Sequence, residues 1–243
     1  MMRSNPWIVP DWPAPKSVKA LQTTRIGGTS TGPFDSLNLA MHVNDEIQAV
    51  QRNRAILREY LPVEPVWLQQ VHGTRVIDAA QPPTDLNADA SFSRQAGVVC
   101  VSLTADCLPV LFCDQSAQVV AVAHAGWRGL CDGVLESTVA AMQAQPQQIL
   151  AWLGPAIGAQ AFQVGDEVRQ AFLKQQDTAH QAFVKDGERW LADIYMLARM
   201  RLHRLGITQI YGGDFCTMRD SERFFSFRRD PVCGRMASLI WIE

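Results

Sequence analysis

Five histidines and six cysteines carry most of the nucleophilic and metal-ligating capacity of this 243-residue chain. Two histidines sit in unusual surroundings: His72 lies in WLQQVHGTRV, directly before a glycine, and His124 closes QVVAVAH and is followed by AGWRG. Cys107 opens the apolar run in TADCLPVLFC. All three fall at the ends of apolar runs beside turn residues, where functional side chains project from a rigid frame. Cys107 follows His72 by 35 residues and precedes His124 by 17. Two imidazoles and a thiolate suit zinc and leave the fourth tetrahedral position to water or substrate, which is the catalytic pattern and not the closed structural one. Zinc(II) with one thiolate carries a net positive charge that attracts phosphate and activates water. From spacing alone, a capping histidine and a buried thiol remain the plainer alternative. A metal-free pair, Cys107 as nucleophile and His124 as base, is a third.

Four Gly- or Arg-bearing loops offer anion contacts. AHAGWRG runs from a strand through Gly126 and Gly129 into a helix, whose first N–H groups suit an anion, with Arg128 as a guanidinium fork. It lacks the GKS or GKT of a Walker loop, and a simple turn with a solvated arginine reads equally well. LGPAIG at 153–158 follows another apolar run and is loop punctuation or a second source of N–H groups. TTRIGGTSTGPFDSLNLA places Arg25 and Asn38 among hydroxyl residues, as a phosphate or sugar clamp or as a well-capped loop. FFSFRRDPVCGRMA sets Arg228 and Arg229 beside aromatic residues on which their stems could pack.

The elements that must carry these residues follow from hydrophobic spacing. Residues 44–60 have apolar positions at Ile47, Val50, Ile56 and Leu57 that suit an amphipathic helix. The runs 98–103, 108–113, 119–124 and 149–153 are short and wholly apolar, as strands buried on both faces are. Residues 130–144 and 190–205 read as helices, and 236–242 returns to strand character. The class is mixed α/β, with helices covering sheet surfaces.

Apolar residues make up 47% and charged residues 19%, the composition of a globular protein. With a net charge of −2, nothing suggests wrapping nucleic acid or lying on an anionic membrane. No stretch reaches the roughly 18 apolar residues of a membrane span. The first sixteen residues lack an apolar leader core, so a cytoplasmic protein is expected. The cysteines form no CxxC pair and are expected to be reduced, most of them core residues. The Pro/Gly breaks are of loop size, so 1–243 is expected to be one domain, as a monomer or small homo-oligomer.

Taken together, TTRIGG, SLNLA, QQVHG, ADA, TADCLPV, HAGWRG, LGPAIG and FSFRRD resemble, in that order, the YfiH-like family. It is also called the laccase-domain or polyphenol oxidase family, and now the purine nucleoside phosphorylase family. The likeness runs from about residue 10 to residue 241. It implies an α/β (α+β) fold of mixed β-sheets sandwiched and flanked by helices, and a zinc site on His72, Cys107 and His124. It implies phosphorolysis of purine nucleosides (adenosine, inosine, guanosine, methylthioadenosine) and deamination of adenosine. The small-molecule partners are then a nucleoside and phosphate. Cys107, His124, Arg128 and Asp89 would be the catalytic set, with Asp89 or Asp106 moving protons in deamination. Arg25, Asn38 and Arg229 would join Arg128 on anionic oxygen. Copper in place of zinc, with phenol oxidation, is the older assignment. A four-copper laccase needs many histidines, usually in HxH pairs, around a blue-copper centre; five histidines without an HxH pair cannot build it. An amide hydrolase acting on a cell-wall precursor through Cys107 and His124, or a non-catalytic metal-binding module, are the remaining alternatives. The chain departs from the family pattern at Phe34 and Phe227, where tyrosine is common, at Asn87, where a basic residue is usual, and at Gln163, where glutamate is usual.

Overall fold

The central runs do not alternate between polar and apolar because their strands are covered on both faces. The computed structural model describes residues 7–243. Residues 1–6, part of the segment expected to lack a leader, lie outside the described residues. In chain order the elements are β1 (Val18–Gln22), α1 (Ile47–Arg58), β2 (Val76–Asp78), β3 (Ala90–Ser93), β4 (Cys100–Thr104), β5 (Leu108–Asp114) and β6 (Val120–Ala125). There follow α2 (Trp127–Asp132), α3 (Val134–Met142), β7 (Ile149–Leu153), β8 (Gln163–Val164), α4 (Asp166–Gln175), β9 (Phe183–Asp186) and β10 (Arg189–Ala192). The chain ends with α5 (Ile194–Arg204), β11 (Gln209–Gly212) and β12 (Met236–Ile242).

A six-stranded mixed sheet has the order β11-β7-β5-β6-β3-β2, and a three-stranded sheet has the order β1-β12-β4. The inner pairs of the larger sheet are antiparallel, whereas β11 on β7 and β2 on β3 are parallel. The period of two along each strand divides its side chains between two cores. Leu108, Val110 and Phe112 of β5, with Ala121, Ala123 and Ala125 of β6, pack with Leu130, Val134 and Leu135 and with Leu197 and Leu202 of α5. Leu111, Cys113, Val120 and Val122, on the other face, pack with Val18, Cys100, Ile240 and Ile242 of the smaller sheet. The smaller sheet's outer face, Leu21, Val101, Leu103 and Leu239, packs with Leu37, Leu39 and Leu57 of α1. The layers therefore run α1, small sheet, large sheet, helices α3 and α5, the mixed α/β class expected.

Three element expectations need correction. The helix expected over 130–144 starts earlier, at Trp127, and breaks at Gly133, whose φ of 104° is left-handed and ends α2. The helix expected over 190–205 begins only at Ile194; Arg189–Ala192 is instead β10, which pairs antiparallel with both β8 and β9. Asp193 separates the two by capping α5, accepting the Met196 N–H at 2.9 Å. The helix over 44–60 is shorter, Ile47–Arg58, because Asn44 turns left-handed at φ 65°.

Candidate metal centre

Strand pairing brings two of the three candidate ligands together. His124 on β6 lies opposite Pro109 on β5, two residues beyond Cys107. The period of two puts His124 on the same side of β6 as Val120 and Val122, facing the smaller sheet and not the helices. His72, on the loop before β2, is delivered by Asp89. That carboxylate is 1% exposed and accepts three successive N–H groups, from Val71, His72 and Gly73, at 3.2, 2.9 and 2.7 Å. Asp89 stands immediately before β3, which pairs with β6, and its own carbonyl accepts the His124 N–H at 2.7 Å. One buried acid therefore fixes both imidazoles. His72 needs this support, because its φ of 61° is uncommon for a residue with a Cβ.

The same carboxylate contacts His124 Nδ1 at 2.8 Å. A carboxylate there holds the proton on Nδ1 and frees Nε2 as the ligand atom. Cys107 Sγ lies 3.7 Å from His72 Nε2, and one donor atom from each of His72, Cys107 and His124 falls within 4.8 Å of the others. Bond lengths of tetrahedral zinc place a sulfur and a nitrogen ligand about 3.5 Å apart, so the donor set fits that ion in chemistry and spacing. Burial alone would raise the Cys107 thiol, but the His124 charge and hydrogen bonds from His124 and His72 outweigh it and lower the thiol. His124 moves the other way: burial opposes its protonation, and the Cys107 and Asp89 charges overcome that and raise it. For Asp89, burial raises the carboxyl, and the bond to His124 with the N–H groups of Gly73 and Val71 reverses this, leaving it below the usual range.

The glycines of HAGWRG sit against the His72 loop. A Cβ on Gly126 would stand 2.7 Å from His72 Cδ2 and 3.1 Å from Cys107 Sγ, and one on Gly129 would stand 2.8 Å from the Gly73 carbonyl oxygen. They admit the His72 loop, and the helix they open is only six residues long.

The three ligands line a cavity of about 310 Å³. Leu103, Trp127, Ile157, Phe162, Ile194 and Phe227 supply apolar wall, and Gln70, Asp106, Arg228, Arg235 and His42 supply polar groups. Arg128 is exposed, stacks on Trp127 with its guanidinium carbon 4.4 Å from the ring centroid, and is not among the lining residues. Arg25 bonds the carbonyls of Asp35 and Ser221 and lies over Phe225. Asn38 is buried and spends its amide on Ala40, Asp45 and the Arg235 N–H. Arg229 gives its donors to the carbonyls of Thr217, Met218 and Phe224 and to Asp230. These last three hold the chain together and are placed outside the cavity lining. Asp89 lies behind His124, whereas Asp106 does line the cavity, with its oxygens on Thr217 Oγ1 and the Arg228 N–H, both at 2.6 Å. Of the four departures, Phe227 alone lines the cavity; Phe34 is buried, Asn87 pairs with Asp85, and Gln163 bonds Asp186.

Sequence reasoning missed His42, Gln70 and Arg235. His42 is held below its ordinary value, by burial first and then by the Arg235 and Arg54 charges. Gln70 straps the His72 loop to β4 through the Leu103 N–H and carbonyl, both at 2.7 Å. Its place two residues before His72 was the available signal. Arg235 stood in a quoted motif, but nothing near it in sequence shows that Asn38 holds its backbone N–H beside the cavity.

Residues 19–243 match the family described as multi-copper polyphenol oxidoreductase laccase. An Escherichia coli (strain K12) protein named purine nucleoside phosphorylase YfiH is 55% identical over 238 residues, covering 97% of this chain and 98% of the relative. A Pseudomonas aeruginosa protein named purine nucleoside phosphorylase PA4543 is 54% identical, covering 98% of this chain and 99% of the relative. The crystal structure of Neisseria meningitidis protein NMB0706 superposes with a TM-score of 0.96 at 48% identity, covering 99% of this chain and 100% of that one. Among the described residues, no helix is long and apolar enough to cross a membrane.

Proposed function

This chain belongs to the multi-copper polyphenol oxidoreductase laccase family, the YfiH family, and on that premise we propose that it is a zinc-dependent purine nucleoside phosphorylase that also deaminates adenosine. The observation that carries the reading is the joining of a two-histidine, one-cysteine donor set to a largely apolar cavity of nucleoside-compatible size. The names of relatives more than half identical over nearly the whole length point the same way.

His72, Cys107 and His124 would hold the ion, which when bound supplies positive charge that draws anionic oxygen and polarises what it touches. The chain's own groups do the rest. Asp89 keeps the proton on His124 Nδ1 and so keeps Nε2 turned to the ion. Ile157, Phe162 and Ile194 exclude water from the flat face of a purine. Phosphorolysis moves a ribosyl group from the purine to phosphate through a cationic, oxocarbenium-like state, which the site must stabilise while neutralising phosphate. For deamination, Asp106 is the carboxylate that faces the cavity and can accept or return a proton there.

A second reading has one observation in its favour. The run Cys107–His124–Asp89 is also the order of nucleophile, base and orienting acid of a metal-free thiol hydrolase. Product identification separates the two. Metal-analysed protein incubated with a panel of nucleosides should release purine and ribose 1-phosphate when phosphate is present, and inosine from adenosine with or without it. Base release that ignores phosphate, or a complete absence of ribose 1-phosphate, would end the phosphorylase reading.

A further inference from the structure

A phosphorylase must seat a dianion beside the sugar, and the arginines first considered for this, Arg25, Arg128 and Arg229, do not line the cavity. Two others do. We propose that Arg228 and Arg235 form the phosphate subsite, a pair of guanidiniums seven residues apart on the loop between β11 and β12, both lining the same cavity. The proposal rests on the phosphorolytic reading and names the residues that would make it work.

Their backbones are fixed while their side chains keep donors to spare. The Arg228 N–H is held at 2.6 Å by Oδ2 of Asp106, the residue before Cys107, which ties this arginine to the metal-ligand loop. The Arg235 N–H is held at 2.9 Å by Oδ1 of the fully buried Asn38. The Arg228 side chain makes a single protein hydrogen bond, Nη1 to the Ala161 carbonyl at 3.3 Å. The Arg235 side chain uses only Nη1, on the carbonyls of Cys233 and Gly234 and on Cys233 Sγ. Nε and Nη2 of both therefore have no hydrogen-bond partner among the described residues; the guanidiniums lie over Phe162 and Phe227, 5.7 and 5.8 Å from the ring centroids, and among the described residues neither has a carboxylate within ion-pair distance. Such forks, planar and always charged, match phosphate oxygens in pairs. Among the described residues Asp106 is the one carboxylate lining the cavity; it accepts from Thr217 Oγ1 and the Arg228 N–H and makes no ion pair with either guanidinium.

The contrast with Arg229 sharpens the assignment. The RR doublet divides its labour: Arg229 bonds three carbonyls and Asp230 and pins the loop, which leaves Arg228 to face the cavity. Asn38, considered as a sugar clamp, is instead the positioning residue for Arg235.

The test is steady-state kinetics with phosphate and nucleoside varied separately, beside calorimetric titration of inorganic phosphate into zinc-loaded protein free of nucleoside. Losing one charge-assisted contact should raise the KM for phosphate about ten- to a hundredfold in Arg228→Gln and in Arg235→Gln. Zinc content and the KM for nucleoside should hold, and Arg228→Lys should recover part of the loss. The calorimetric signal should fall in parallel. Should Arg235→Gln fail to fold, Arg228→Gln, which gives up one long hydrogen bond, still decides. If the wild type cleaves nucleosides with phosphate and both glutamine variants keep its phosphate KM, or if Arg128→Gln raises that KM instead, the subsite is misplaced while the phosphorylase reading stands. If the wild type releases no base, that reading fails, and calorimetry alone judges the subsite: arginine-dependent phosphate binding upholds it, and arginine-independent or absent binding overturns it.

Discussion

A candidate metal ligand in a left-handed conformation is held there by something, and at His72 the holder is Asp89. Because this acid takes three N–H groups and His124 Nδ1 together, Asp89→Asn should weaken zinc binding about ten- to a hundredfold while leaving every ligand in place. Competition with a chromophoric chelator would measure it, and unchanged affinity would mean that the imidazoles orient themselves. The depressed Asp89 carboxyl has a second consequence. A carboxyl held low in the folded state stabilises the fold above its unfolded value, and this contribution disappears as pH falls through the folded one. The wild type should therefore lose more stability on acidification than Asp89→Asn does. Cys107 gives a sharper readout. In metal-free protein its lowered thiol should react with iodoacetamide at pH values below the usual range for free cysteine, near 8.5. In zinc-loaded protein it should react slowly until a chelator is added. Rapid alkylation of the loaded protein, with loss of activity, would favour the thiol hydrolase.

At the scale of elements, Gly133 is the hinge on which one expected helix became two. With φ at 104° and its nearest prospective contact 3.5 Å away, a Cβ there meets backbone strain and not a clash. Gly133→Ala should therefore destabilise by about 1–2 kcal/mol, the penalty of left-handed backbone for an ordinary residue. A denaturant titration showing no loss would mean that the α2–α3 junction relaxes into one continuous helix. That break was invisible to periodicity, because Leu130, Val134 and Leu135 keep a helical spacing across it. The runs that became β5, β6 and β7 could be read directly, since burial on both faces leaves an unbroken apolar signature. The small β8-β10-β9 sheet had no such signature. In β9 only Phe183 is buried, and Trp190 and Leu191 of β10 looked like the start of α5. The site divided in the same way. His72, Cys107 and His124 showed themselves by residue type beside turns, whereas the backbone N–H of Arg235, a residue lining the cavity, is held by Asn38, 197 positions away, and no local pattern encodes such a contact.

The whole molecule closes its core without help from the ligands. The apolar clusters between the two sheets and under the helices are built mainly from strand and helix residues, while His124 is buried near the end of β6 and His72 and Cys107 lie on loops beside it. The candidate ligands stand at the strand-end rim of this layered body, His124 buried and His72 exposed, held by Asp89, Gly126 and Gln70. A metal placed there stabilises by mass action on a fold that already exists, by about 2.7 kcal/mol at a hundredfold excess over its Kd. This differs from a zinc finger, whose apo chain is unfolded. Metal-stripped protein should therefore keep its far-UV circular dichroism and a single cooperative melt, with a Tm that rises on zinc addition. His72→Ala should keep the same spectrum and lose the zinc-dependent rise. Leu111→Ala, with no solvent exposure and seated between the sheets, should instead lose about 2–5 kcal/mol whether or not zinc is present. An apo protein without a cooperative melt would place the ion among the elements that fold the chain, and the edge position of its ligands would then need a different account.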